Sequence, residues 1–425
     1  MPENIRMPTT LATGKAHVIA ISLITAACLF GDSMLYIVLP VHYQEAGLTS
    51  LWEVGVILSM NRLIRLPLNP VVGWMYRRIS VRGGILLATA LAAASTLGYA
   101  FADSFFIWIF LRSVWGLSWT LLRIGGFFCI LEISDNNSRG YFMGLYNGLY
   151  RLGSLVGMLA GGILADTLGF FATTLLFGTC SAMALPPALF TLPNGKIPPS
   201  PTKNDPLAPP LFRQNKKNVL LIMGTGLVAA LAYQGLYAAT LTQMIYLHLG
   251  AVVTLCGLAL GAASLGGLLQ ALRWGWEPWL APWFGKLSDL RFGRTPMMIW
   301  ALLGAALLFG LTALSLPALL WCLVLLGVEL FGTLQTTLAD AVASDAATRR
   351  ARDAQSELAG RDFMRMYSLA VDLGAALGPF TAYAVSEILD MNAAYLFVAV
   401  LMAVLGVAWL KTGAEGFDKT PRVRS

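Results

Sequence analysis

Apolar positions run along this chain in long blocks separated by short polar stretches. Twelve such blocks stand near 17–41, 51–76, 83–102, 105–131, 140–165, 170–192, 218–247, 251–284, 296–315, 317–342, 363–387 and 393–411. A helix of about 20 apolar residues spans the hydrocarbon core of a bilayer, so each block predicts one crossing. The eighth is long, about 34 residues, and predicts either a helix that leaves the bilayer or one bent at Pro278 or Pro282. Between the sixth and seventh blocks, Pro193–Lys217 holds seven of the chain's twenty prolines and the basic residues Lys196, Lys203, Arg213, Lys216 and Lys217. Proline and charge predict a hydrated linker there. The pattern therefore predicts an all-α membrane protein of twelve transmembrane helices. A first six-helix bundle takes residues 1–192, the linker 193–217, and a second bundle 218–425.

Composition supports this frame. Of 425 residues, 57% are hydrophobic and 12% charged, whereas soluble domains carry about 25% charged residues. That excludes an ordinary soluble enzyme and a disordered chain. The net charge of +7 then concerns topology. With the N-terminus inside, the inner connections hold Arg77, Arg78, Arg82, Arg139, Lys286, Arg291, Arg294, Arg349, Arg350, Arg352 and Arg361. The outer connections near 42–50, 103, 166–169, 248–250, 316 and 388–392 hold no Lys or Arg. The positive-inside rule predicts cytoplasmic termini and linker. The expected location is a plasma membrane, of the bacterial inner-membrane kind. The first block is too long for a cleavable signal peptide. The five cysteines, Cys28, Cys129, Cys180, Cys256 and Cys322, stand singly, and His17, His42 and His248 are far apart. No metal site, disulfide framework or cofactor is expected.

Charges inside the blocks carry the chemistry. Six arginines, Arg62, Arg65, Arg112, Arg123, Arg151 and Arg273, face four acids, Asp32, Glu277, Glu329 and Asp372. An arginine at a helix centre costs about 2.5–3.5 kcal/mol, so most of them must face protein, water or a partner. Arg123 and Arg273 lie nearer the inner ends and are expected to snorkel. On a regular helix, Asn61, Arg62, Arg65 and Asn69 share an arc of about 100°, and Arg112, Trp115, Trp119 and Arg123 one of about 80°. Tyr233, Tyr237, Thr240 and Met244 line one face of the seventh block, as wall or as packing. Trp274, Trp276, Trp279 and Trp283 read as an interfacial belt.

The two halves echo each other. Pro70-x-x-Gly73 closes the second block and Pro282-x-x-Gly285 the eighth. Gly153-x3-Gly157 in the fifth answers Gly374-x3-Gly378 in the eleventh. Internal repeats of this kind mark transporters. Over nearly its whole length the chain resembles the major facilitator superfamily. The loop Gly285-Lys286-Leu287-Ser288-Asp289-Leu290-Arg291-Phe292-Gly293-Arg294 is similar to that family's G-x-x-x-D-R-x-G-R signature with one residue inserted. The equivalent from Gly73 to Arg82 departs from it, with Arg77 in place of the aspartate. Arg112-x3-Gly116 resembles the R-x-x-x-G motif linked to proton coupling. Gly144-x8-Gly153-x3-Gly157-Met158-x2-Gly161-Gly162 resembles the exporter pattern, with Met158 replacing a proline.

The resemblance implies a monomeric secondary transporter working by alternating access between a small-molecule substrate and a coupling ion, expected to be H⁺. The residues expected to bind substrate are Arg62, Arg65, Arg151, Asn61, Asn69, Trp119, Tyr233 and Tyr237. Proton coupling is expected at Asp32, Arg112, Glu329 and Asp372. Gating is expected at Gly73, Arg78, Gly285, Asp289, Arg291, Gly293, Arg294, Gly153 and Gly157. The excess of arginines points to a small organic anion, such as a siderophore or another carboxylate, because guanidinium forks suit carboxylates. The alternative is a multidrug or metabolite exporter whose arginines are structural. No GxxxxGK[ST] loop, nucleophile motif or nucleic-acid signature is present in the sequence, so neither an ATP-driven pump nor an enzyme is expected.

Overall fold

The computed structural model describes residues 11–134, 139–192, 216–255 and 257–413. The linker over 193–215, both tails, Cys256 and the side chain of Arg139 lie outside the described residues. In chain order the elements are α1 (Leu11–His42), α2 (Leu51–Leu63), α3 (Arg65–Met75), α4 (Val81–Tyr99), α5 (Phe105–Ile133), α6 (Arg139–Ala182) and α7 (Leu185–Thr191). There follow α8 (Lys216–Ala229), a π-helical stretch Ala230–Tyr237, α9 (Ala238–Leu249), the strands β1 (Val252–Leu255) and β2 (Leu258–Gly261), and α10 (Ala262–Leu287). A π-helical turn Ser288–Phe292, α11 (Arg294–Leu311), α12 (Ala318–Asp353), α13 (Glu357–Ile388) and α14 (Met391–Gly413) complete the order.

Nine helices among the described residues are long and apolar enough to cross a membrane. The expected fifth and sixth segments form one helical stretch that changes direction at Gly169, whose φ of 83° suits a residue without Cβ. The expected second segment is divided at Ile64. Pro67 has no N–H to return to Leu63, so the ladder breaks there into α2 and α3. The expected eighth segment does not begin as helix. Val252–Leu255 pairs antiparallel with Leu258–Gly261 in a hairpin, and α10 follows with Pro278 and Pro282 inside it. The run Val252-Val253-Thr254 is β-branched, which explains the strand. The fold is thus nearly, not wholly, helical. Asp345 lies within α12, which runs on to Asp353.

The chain clusters into two compact units, Met1–Leu48 with Ile64–Pro201, and Thr49–Leu63 with Thr202–Ser425. In the first, α6 lies against α1. A Cβ on Gly157 would fall 2.7 Å from the Phe30 carbonyl oxygen, and one on Gly153 would run into the carbonyl oxygen of Ala26. In the second, α13 lies against α8 and the π-helical stretch in the same manner. Gly374 meets the Leu227 carbonyl, and Gly378 would place a Cβ 2.5 Å from the Cα of Gly235. The sequence echo is therefore an echo of backbone contacts, which small residues permit. The segment carrying α2 packs on α13 within the second unit. Gly55 faces the Pro379 carbonyl, and the Phe380 N–H donates to Ser59 Oγ at 3.1 Å.

Candidate functional site

Among the described residues, each unit holds a buried charge centre. In the first, Arg112 on α5 donates from Nη1 to Asp32 Oδ1 on α1 at 2.6 Å. The arginine is fully buried and the aspartate 13% exposed. Ordinary helix packing builds this pair. The two residues reach across from neighbouring helices, and Tyr99 and Tyr36 lie near the guanidinium. A pair so dry makes a strong contact only while both partners stay charged. The two residues expected from sequence as a coupling pair are thus brought together.

In the second unit Glu329 sits on α12 with no exposed surface, and neither carboxyl oxygen has a hydrogen-bond partner. Tyr237 donates to the carbonyl of Leu325, one turn earlier on α12, at 3.0 Å. Trp276 on α10 donates to Thr333 Oγ1, one turn later, at 3.2 Å. The Glu329 carboxyl therefore stands between two tied levels and joins neither, although its backbone carbonyl accepts from Thr333 Oγ1 at 3.2 Å. Rings converge beside it. Phe309 lies 5.7 Å from Tyr233, 6.3 Å from Tyr237 and 5.8 Å from Tyr395 between centroids. The tyrosine hydroxyls are engaged elsewhere, Tyr233 with Gln335 Oε1 at 3.1 Å and Tyr395 with Thr240 Oγ1 at 3.0 Å. The bulk of Tyr233 fits because Gly332 on α12 has no side chain. A Cβ there would lie 2.7 Å from the ring.

Arg273 on α10 is 6% exposed, its Nε has no acceptor, and its charge acts on Glu329 without a hydrogen bond between them. This corrects the expectation that Arg273 snorkels to the interface. Sequence position alone could not tell a buried arginine from a snorkelling one. Gln270, one turn earlier on the same face, is 1% exposed and its amide nitrogen has no acceptor. Neither was expected to bind substrate. The signal available was an i, i+3 polar pair inside the apolar run over residues 265–276.

The remaining expected substrate residues are dispersed. Arg62 and Asn61 belong to the second unit, and Arg65, Asn69, Arg151 and Trp119 to the first. Asn61 is buried, Arg62 and Arg65 are half-buried, and Asn69 and Arg151 are exposed. The break at Ile64 interrupts the regular helix on which the shared arc of Asn61 to Asn69 was reckoned. The Trp119 ring meets Tyr150 at 5.6 Å. Asp372 is half-buried on α13, and Arg123 is exposed over the Phe127 ring.

At the inner-loop signature, Arg294 holds two acids. Its Nε donates to Asp289 Oδ1 at 3.1 Å, and its Nη1 lies 2.9 Å from Asp345 Oδ2. Asp345 was not among the expected gating residues, since its partner is remote in sequence. Gly293, at φ 81°, starts α11 and Gly285 lies near the end of α10, while Arg291 lies over Phe292 at 5.5 Å. In the first half Arg78 lies over Trp74 at 5.1 Å, and Gly73 faces open space.

Comparison with known proteins joins these features to a family. The chain is 28% identical over 386 residues to the multidrug resistance protein MdtG of Citrobacter koseri, covering 87% of this chain and 86% of that one. It is 26% identical over 156 residues to the human synaptic vesicular amine transporter, of whose length it spans 30%. Two solved structures share the fold. One is a bacterial homologue of the human lysosomal transporter Spinster, with TM-score 0.66 at 15% identity and 96% coverage of each chain. The other is a peptide transporter POT in complex with sulfate, with TM-score 0.73 at 13% identity and coverage of 97% and 96%. The profile of the Major Facilitator Superfamily matches residues 21–360. This is an integral multi-pass membrane protein, and the chain belongs to the Major Facilitator Superfamily of transporters.

Proposed function

We propose that the chain exports a small organic molecule by alternating access, in exchange for protons. The reading includes twelve crossings in two six-helix halves, residues 1–192 and 218–425, with cytoplasmic termini and linker in a bacterial-type inner membrane. The single observation that carries proton exchange is the 2.6 Å contact between Asp32 and Arg112. A proton arriving at Asp32 removes its charge, leaves the guanidinium without its counter-charge in a dry site, and biases the equilibrium between access states. Export is supported by the exporter-like glycines of α6 and by the names of the relatives.

A second reading keeps the organic anion, a siderophore or another carboxylate. The arginine excess favours it, with Arg62, Arg65 and Arg151 as the anion-facing groups. The experiment is flux in proteoliposomes under an imposed pH gradient, with a cationic dye, a carboxylate and a siderophore as separate probes. Gradient-driven movement of any probe, lost in Asp32→Asn, supports the proposal. Movement indifferent to the gradient overturns proton exchange. Full activity of both Arg62→Ala and Arg65→Ala overturns the anion site.

A further inference from the structure

From the second unit alone we infer that Glu329, Arg273 and Gln270 form a recognition site for a small zwitterion, with Glu329 taking an ammonium group and Arg273 and Gln270 a carboxylate. The inference rests on reading the chain as a transporter, and it names the class of its substrate.

The site is defined by what is left unpaired. Glu329 has no exposed surface and two oxygens without donors, while Gln270 and Arg273 present nitrogens without acceptors at 1% and 6% exposure. Buried acceptors and buried donors normally find one another, because a lone buried polar group costs roughly 1–3 kcal/mol and a charged one more. Here Arg273 acts on Glu329 through space, Gln270 stands one turn before Arg273 on the same helix, and the orphaned atoms of the three do not bond one another.

Two ties set their level. Asp289, just beyond α10, and Asp345, on α12, are both held by Arg294. Arg273 precedes Asp289 by as many residues as Glu329 precedes Asp345. One turn nearer that clamp, Trp276 reaches Thr333. Short connections on either side of α11 make α10 and α12 run in the same sense. The guanidinium and the carboxylate therefore stand at one depth, on neighbouring helices, too far apart to bond and close enough to feel each other's charge.

A ligand with both charges completes both groups at once. A cation alone would leave Arg273 and Gln270 unpaired, and an anion alone would leave Glu329 so. The rings of Tyr237, Phe309 and Tyr395 pack on one another and form an apolar wall near the carboxylate.

The test is binding to the purified full-length protein in detergent at neutral pH, by calorimetry, with three probes of one shape. L-phenylalanine carries both charges, L-phenylalaninamide only the ammonium, and N-acetyl-L-phenylalanine only the carboxylate. L-phenylalanine is expected to bind at least about tenfold more tightly than either of the others. Glu329→Gln should erase its advantage over the N-acetyl probe, and Arg273→Gln its advantage over the amide. If Arg273→Gln does not fold, Gln270→Ala should weaken the two carboxylate-bearing probes and leave the amide unchanged. Equal binding of the three probes, no binding of any, or selectivity unchanged in the variants would overturn the inference. Detergent removes every gradient, so the two proposals fail separately. Selective binding without gradient-driven flux overturns proton exchange alone, and gradient-driven dye flux without zwitterion preference overturns the zwitterion site alone.

Discussion

Arg112 and Asp32 meet at 2.6 Å across two helices, with the arginine wholly inside the protein. Asp32→Asn leaves that guanidinium buried without a counter-charge, a change that costs about 3–5 kcal/mol for a broken buried pair. The double variant Asp32→Asn with Arg112→Gln removes both charges and should recover most of the loss. Thermal unfolding of the four proteins in detergent forms the cycle, and equal melting of single and double variants would count against a coupled pair.

Glu329 predicts the opposite sign. An intramembrane carboxyl with no partner destabilises the fold it sits in. Glu329→Met, which removes both orphaned oxygens, should therefore melt higher than wild type by the equivalent of about 1–3 kcal/mol while transport falls, the trade-off expected of a strained functional group. A lower melting temperature would indicate that the carboxylate is a structural element.

Glycines in α6 divide into two kinds. Gly153 and Gly157 press on the carbonyls of Ala26 and Phe30, whereas Gly144 and Gly148 face open space. Gly157→Val should abolish folded protein, because the contact is with backbone and cannot yield. Gly144→Ala and Gly148→Ala should be neutral or gain up to about 0.5–1 kcal/mol through helix propensity. Size-exclusion profiles and melting temperatures separate these outcomes.

Arg294 is 27% exposed and its two acids 52% and 46%, so its ion pairs lie partly in water. Arg294→Ala should cost less than about 1 kcal/mol. Its clearer mark is salt dependence. Raising NaCl should lower the melting temperature of wild type slightly and leave that of the variant unmoved.

Particular residues show what the sequence carried. The apolar blocks gave the helices because burial in lipid demands long, uninterrupted hydrogen-bonded spans. The hairpin at Val252–Gly261 escaped because a short apolar run reads alike as helix or strand. Asp32 and Arg112 were legible together because lone opposite charges inside apolar spans need each other. Arg273 and Gln270 were not, since the burial of a polar residue within a span depends on the neighbouring helix. Asp345 was missed for a similar reason. Its partner Arg294 comes near only once α11 and α12 are folded back on each other.

Proton exchange at Asp32 is tested most directly by pH-gradient-driven flux in proteoliposomes, compared with substrate exchange at equal pH. Wild type should show both. Asp32→Asn should lose the first and keep the second, because the proton acceptor is gone while substrate recognition remains. Gradient-driven flux at the wild-type rate in Asp32→Asn would rule out Asp32 as the proton acceptor.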